Sequence, residues 1–289
     1  MLAVSVRSLS KTFGPLTVLQ SIDLDVPTGS IYGLLGLNGA GKTTLLRILM
    51  GFLRPTGGSG EVLSLPLGRL EGIDRARVAY VPEQPVLYSS MRVGELLRFV
   101  RSVHPRWDQA AAERYMETFR LPLDRKVAAL SVGMRSQLAL SVALSTRPQL
   151  LVLDEPASGL DPLHRRRYLQ VLLEECAVPE RTVLLTSQDL ELVERMCDHV
   201  ALIHEGRVQF AGPVEEVLGR EKRLRVTAGE SARETLAALS GVRSLRPEAH
   251  GFLLSGAADP SSVQSVAGVT GVQVFALSIA DLFWSYVED

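Results

Sequence analysis

Apolar residues at Val4 and Val6, then at Val18, Leu19, Ile22, Leu24 and Val26, mostly alternate with polar ones, which puts them on one face of extended strands. Turn chemistry at Phe13-Gly14-Pro15 and Pro27-Thr28-Gly29 separates these runs, so the pattern predicts an antiparallel opening sheet. Ile31–Leu35 is instead a short, almost continuously apolar run, as expected of a strand buried on both faces. It ends in a glycine loop, after which residues 43–53 have helical spacing. Further apolar runs at 78–81, 150–153, 182–186 and 199–203 are separated by helical stretches, the order of a mostly parallel α/β sheet. Residues 85–146 carry helical periodicity only, with helices expected near 93–103, 108–119 and 132–144, and read as an inserted helical subdomain. Beyond Gly219 the pattern restarts as strand 224–226, helix 231–239, strand 242–245, strand 252–254, helix 261–267 and strand 272–275. That β-α-β-β-α-β order predicts a small ferredoxin-like α+β domain over 220–289, behind a larger α/β domain over 1–219.

Composition narrows the function classes. With 289 residues and 46% hydrophobic content the chain can build its cores without staples, and Cys176 and Cys197 fit no metal-ligand spacing, as expected of thiols in the reducing cytosol. The formal charge of -1 leaves no basic stripe, which argues against a nucleic-acid partner. No apolar run approaches the roughly 18–20 residues that span a bilayer, and the N-terminus leads into strand-like sequence rather than a signal peptide. Any membrane role is therefore expected to run through a partner.

Gly36-Leu37-Asn38-Gly39-Ala40-Gly41-Lys42-Thr43 matches G-x-x-x-x-G-K-[ST] and lies between a predicted strand and a predicted helix. Such a loop cradles phosphate: glycines let backbone amides converge, the helix N-terminus adds its dipole, Lys42 reaches the terminal phosphates, and the Thr43 hydroxyl holds Mg²⁺. Asn38, Gly39, Ala40, Gly41 and Thr44 complete the expected ATP-binding set. Leu150-Leu151-Val152-Leu153-Asp154-Glu155 is an apolar strand ending in two carboxylates, with Asp154 expected beside the Mg²⁺ and Glu155 where a water could be polarised.

Leu130-Ser131-Val132-Gly133-Met134, opening a predicted helix twenty residues before the acidic strand, resembles the signature motif of ABC ATPases. Val132 and Met134 depart from that family's Leu-Ser-Gly-Gly-Gln, whereas Ser131 and Gly133 are kept, the first able to cap the helix and the second flanked by amides suited to a γ-phosphate. The resemblance covers residues 1–219 and implies a P-loop NTPase fold with an antiparallel sheet on the adenine side. Phe13 resembles the aromatic that stacks on adenine, and Ser158-Gly159-Leu160-Asp161 the D-loop, where Asp161 would touch the opposing subunit. Val81-Pro82-Glu83-Gln84 resembles the loop whose Gln links Mg²⁺ and water to the permease, with either Glu83 or Gln84 in that place. At the family's switch His this chain has Gln188, which can donate to phosphate but cannot titrate near neutral pH, so slow hydrolysis is expected. His164, His199 and His204 are read as structural. The Leu-Ser-x-Gly-Met form resembles exporters of the second ABC type, and His104-Pro105-Arg106-Trp107-Asp108, Leu121-Pro122-Leu123-Asp124 and the ending Leu277-Ser278-Ile279-Ala280-Asp281-Leu282-Phe283 resemble exporter-type subunits, so the region after Gly219 is expected to be an accessory or dimer-stabilising domain. The family resemblance implies two chains, head to tail, completing each other's ATP and Mg²⁺ sites beneath a separately encoded permease on the cytoplasmic face of the cell membrane, with transport expected outward.

Overall fold

The computed structural model describes residues 1–176, 178 and 181–287. The opening alternation forms a long hairpin, β1 (Leu2–Phe13) and β2 (Leu16–Pro27), whose register pairs Val4 with Val26 and Val6 with Leu24. All four of those side chains are buried on one face, as the two-residue period requires. β3 (Ile31–Leu35) follows and leads through the glycine loop into α1 (Lys42–Leu49). The helix stops short of the predicted residues 50–53 because Gly51 turns left-handed at φ 72°. β4 (Gly57–Val62) and the two-residue β5 (Leu65–Pro66) then join the hairpin in a sheet ordered β2-β1-β4-β5. The sequence Gly57-Gly58-Ser59-Gly60 has no apolar alternation, so nothing in its pattern announced a strand.

After the short α2 (Gly72–Arg75) come β6 (Val78–Val81) and the helical insertion, α3 (Val93–Val103), α4 (Gln109–Phe119) and α5 (Val132–Ser145). The remaining elements of this part are β7 (Leu150–Asp154), α6 (Pro162–Cys176), β8 (Thr182–Ser187), α7 (Leu190–Met196), β9 (His199–His204), β10 (Arg207–Pro213) and α8 (Val214–Gly219). The six-stranded sheet runs β10-β9-β3-β8-β7-β6, parallel except for the β10–β9 edge. Every residue of β7 and β8 is buried, as their apolar runs predicted. Two apolar clusters sandwich this sheet: one includes the hairpin and α1, the other the insertion helices and α6.

The C-terminal part contains β11 (Lys222–Ala228), α9 (Arg233–Ala237), β12 (Val242–Glu248), β13 (Gly251–Gly256), α10 (Pro260–Gln264) and β14 (Val269–Phe275). Its antiparallel sheet, ordered β12-β13-β11-β14, has the ferredoxin-like arrangement that the pattern predicted, over a small core of its own around Leu224, Leu236, Phe252 and Val263. The last helix, α11 (Ile279–Val287), behaves differently. Its Ile279, Leu282 and Phe283 are buried in the large cluster that includes Leu192 and Met196 of α7, rather than in the small domain's core.

Candidate active site

The strand-loop-helix unit at β3 places the phosphate-type loop at the carboxyl edge of the central sheet. Gly36 is required by close approach, since a Cβ there would lie 2.4 Å from the Ile203 carbonyl oxygen. Gly41, at φ 105°, would set a Cβ 2.6 Å from Leu19 Cδ2. With both corners free of side chains the loop curls around the Lys42 ammonium, which is only 6% exposed and donates to the carbonyls of Gly36 (2.7 Å) and Leu37 (3.2 Å).

Strand order brings the acids to the same place. β7 lies beside β8, which lies beside β3, so Asp154 and Glu155 emerge next to α1 although more than a hundred residues separate them in sequence. Thr43 Oγ1 donates to Asp154 Oδ1 at 3.2 Å, and Thr186 Oγ1 donates to the same oxygen at 2.7 Å. Tyr80 donates to Asp154 Oδ2 at 3.3 Å; burial, and then the Asp154 carboxylate, push the Tyr80 hydroxyl up to about 12. Glu155 takes a left-handed backbone at φ 46°, held there by its N–H donating to Thr186 Oγ1 at 2.8 Å. Such a conformation is uncommon for a residue with a side chain and persists where the surroundings impose it. It turns the Glu155 carboxylate back to 3.4 Å from Lys42 Nζ.

Gln188, following β8, closes the group. Its backbone N–H donates to Glu155 Oε2 at 3.1 Å, while its side-chain amide donates to Asn38 Oδ1 at 2.7 Å and Glu155 Oε1 at 3.4 Å. Asn38, Gly39, Gly41, Lys42, Thr43 and Thr44 line a cavity of about 140 Å³, and Ala40 is buried within the same turn. Glu83 lines this cavity with Glu155 and accepts from Ser158 Oγ at 3.2 Å, whereas the neighbouring Gln84 is outside it. Phe13, at the end of β1, is also outside the cavity, with the Lys11 ammonium 4.8 Å from its ring.

Ser131 and Gly133 form a second locus. The Ser131 hydroxyl caps α5 by accepting from the Met134 N–H at 3.2 Å, as its position predicted. Gly133 packs so tightly that a Cβ would stand 2.9 Å from His164 Cγ. Asp161 accepts from the N–H groups of Leu163 and His164 at the start of α6, and its other oxygen lies 2.5 Å from His164 Nδ1. The two motifs therefore share one packed contact, and Val132 between the retained residues points into solvent.

A family profile described as "ABC transporter" matches residues 19–158. The chain is 33% identical over 281 residues to "Nod factor export ATP-binding protein I" of Sinorhizobium fredii, covering 94% of this chain and 81% of that protein. It is 30% identical over 221 residues to "ABC transporter ATP-binding protein YtrB" of Bacillus subtilis, covering 74% and 73% respectively. This chain belongs to the ABC transporter ATP-binding proteins. A solved structure of an ATP-binding subunit of an ABC transporter, 31% identical, superposes with a TM-score of 0.68 over 75% of this chain and 92% of that one.

For an ABC ATP-binding subunit the donor set fits Mg-ATP. Lys42 offers a nearly desolvated positive charge, and the Thr43 hydroxyl beside the Asp154 carboxylate is the sparse oxygen set that suits Mg²⁺ shared with phosphates. Among the described residues no three His, Cys, Asp or Glu side chains gather to hold a metal on their own. Tyr80 and Thr186, which orient Asp154, were not singled out by the sequence, and His164, read as structural, packs its ring against Gly133. A hydroxyl at the last-but-one position of β8 was the available signal for Thr186; His164 had none, because its role depends on the packing of α5 against α6.

Proposed function

We propose that this ABC ATP-binding subunit hydrolyses Mg-ATP between two copies of the chain arranged head to tail and drives export through a separate membrane permease. The observation that carries the reading is the convergence of Lys42, Thr43 and Glu155 on one cavity, with Asp154 bound to the Thr43 hydroxyl. In it Lys42 neutralises the terminal phosphates, Thr43 and Asp154 hold the metal, Glu155 orients and deprotonates the attacking water, and Gln188 donates its amide toward the γ-phosphate. Mg²⁺, when bound, would supply charge neutralisation at the terminal phosphates. Ser131 and Gly133 lie in a separate locus of the same chain, which supports their serving the partner copy's nucleotide, with Asp161 and His164 joining that contact to the D-loop. Glu83 takes the sensing role, since it shares the cavity with Glu155 and Gln84 does not. Phe13 stacks on adenine once nucleotide is bound.

Residues 1–219 form the motor, with a helical subdomain at about 85–146, and 220–289 form an accessory domain anchored to it through α11. The permease docks around the exposed Val86 and Tyr88, a few residues beyond Glu83, which keeps the chain peripheral on the inner face of the membrane; no described helix is long and apolar enough to cross one. Steady-state phosphate release by the purified chain with Mg-ATP, alone and with its permease in vesicles, tests the reading. Hydrolysis lost in Glu155→Gln and transport lost in Tyr88→Asp at normal basal hydrolysis support it; release unaffected by Glu155→Gln refutes it.

A further inference from the structure

At the opposite end of the strands that carry Asp154 and Gln188, residues just before β7 and β8 border an open cavity of about 500 Å³. Four arginines line it, Arg106, Arg114, Arg147 and Arg181, against two carboxylates, Asp108 and Glu175. Each acid is already committed. Asp108 Oδ2 accepts from Arg147 Nε and Nη2 at 2.8 and 2.5 Å, and Glu175 accepts from Arg114 Nη2 at 2.8 Å and from Arg181 Nη1 at 2.5 Å. Arg106 spends its fork on the Arg147 carbonyl, at 3.2 and 3.1 Å, so its charge meets no carboxylate there. Among the described residues, the cavity is left with excess positive charge.

Arg181 is the decisive residue. It is 8% exposed, and its Nε is buried without a hydrogen-bond partner among the described residues. A guanidinium taken out of water with an unmet N–H is costly, and such a group is retained where something else fulfils the bond. Guanidinium forks match the geometry of phosphate and carboxylate oxygens, and several forks around one cavity favour a compact ion of double negative charge. The cavity exceeds what a bare ion fills and lies in the size range of small-ligand sites, with Tyr115 and Leu144 as its apolar wall.

From this geometry we infer that the Arg106, Arg114, Arg147 and Arg181 cavity binds a phosphate dianion, either free orthophosphate or the phosphate of a small monoester, at a site separate from the nucleotide cradle. Five residues of extended β7 hold the two apart, about 16 Å at the usual rise of a strand.

The test is calorimetric titration of the full chain, saturated with Mg²⁺ and a non-hydrolysable ATP analogue so that the cradle's phosphate positions are filled. Orthophosphate and glycerol 3-phosphate are the two probes, with sodium chloride at equal ionic strength as control. Saturable single-site heat from at least one probe is expected, weakened about tenfold by Arg114→Ala and again by Arg106→Ala, with the affinity for the ATP analogue unchanged. Tighter binding of orthophosphate identifies the free ion as the ligand, and tighter binding of glycerol 3-phosphate a monoester. Arg181→Lys, which keeps a cation for Glu175 but removes the unmet N–H, should weaken binding similarly; if circular dichroism shows that this variant does not fold, the two exposed arginines decide. Heat from neither probe, heat equal to that of the chloride control, or binding that survives the Arg106→Ala and Arg114→Ala double variant overturns the inference.

Discussion

The cradle and the signature loop are both turns at the start of a helix that we propose to bind anions, yet the fold treats them differently. At the cradle, α1 is clamped between the hairpin and the central sheet, Lys42 is nearly buried, and Asp154, Glu155 and Gln188 are bound to one another and to the loop. Its polar groups meet within one chain before any ligand arrives, which is electrostatic preorganisation. At the signature loop, Ser131 spends its hydroxyl on its own helix and Gly133 leans on His164, while Val132 remains 57% exposed beside them. A loop that offers amides but no buried cation gains its anion contact only when another surface brings the phosphate. The difference teaches that one half of the proposed composite site is built by folding and the other by assembly.

Removing the cation at the centre of the preorganised half should have the largest effect. Lys42→Ala is expected to weaken ATP binding by a hundredfold or more, roughly 3 kcal/mol for the loss of charge-assisted contacts, as read by titration with a fluorescent nucleotide. Equal affinity in the variant would break the comparison outright, because the cradle would then owe nothing to its buried charge.

Glu155→Gln keeps the shape of the left-handed turn but removes the base, so ATP should still bind while turnover falls roughly a hundredfold or more. The same variant sharpens the assembly half: with ATP and Mg²⁺ a dimer should accumulate in light scattering, and a strictly monomeric protein would count against assembly in the absence of the permease.

Gly133→Ala probes the signature loop alone. The new methyl must displace the His164 ring or the start of α5, an overpacking cost of about 1–3 kcal/mol. ATP affinity of the isolated chain should stay within about twofold, while ATP-dependent dimerisation weakens by about tenfold, that cost carried into the assembled state. A drop in monomer ATP affinity would show that the two loci are not separate.

Gln188→His asks whether the preorganised half is fully tuned. The amide now ties Asn38 to Glu155, and an imidazole able to carry charge should raise steady-state phosphate release severalfold, about 1 kcal/mol. A clear fall in turnover instead would make Gln188 a catalytic residue in its own right.

The smallest effect is expected at Asp161. The His164 backbone N–H, and the His164 side chain with it, hold its carboxyl below the usual carboxylate range. A lowered folded-state pKa stabilises above the unfolded value, near 3.9, and that contribution is lost as pH falls through the folded value. Asp161→Asn should therefore lower the melting temperature slightly at pH 7 and progressively less as the pH falls below the unfolded value, a convergence that melting curves on the acid side would reveal.

What could be read directly from the sequence was contiguous. The glycine loop through Lys42 and Thr43, the apolar strand ending at Asp154 and Glu155, the Ser131 cap and the β-α-β-β-α-β order all follow from local period and spacing, since backbone geometry dictates which neighbours share a face. Gly57–Val62, a glycine-rich strand between β1 and β5, and the edge strand Arg207–Pro213 escaped, because strands with little apolar alternation are defined by the partners they pair with. Tertiary structure alone decided the rest. It set β8 beside β7 so that Thr186 could grip Asp154, chose Glu83 over Gln84 for the cavity, laid His164 against Gly133, and drew α11 away from the small domain into the large core. Each of those contacts joins residues far apart in the chain, and their meeting is determined by sheet order and helix packing, which no local pattern encodes.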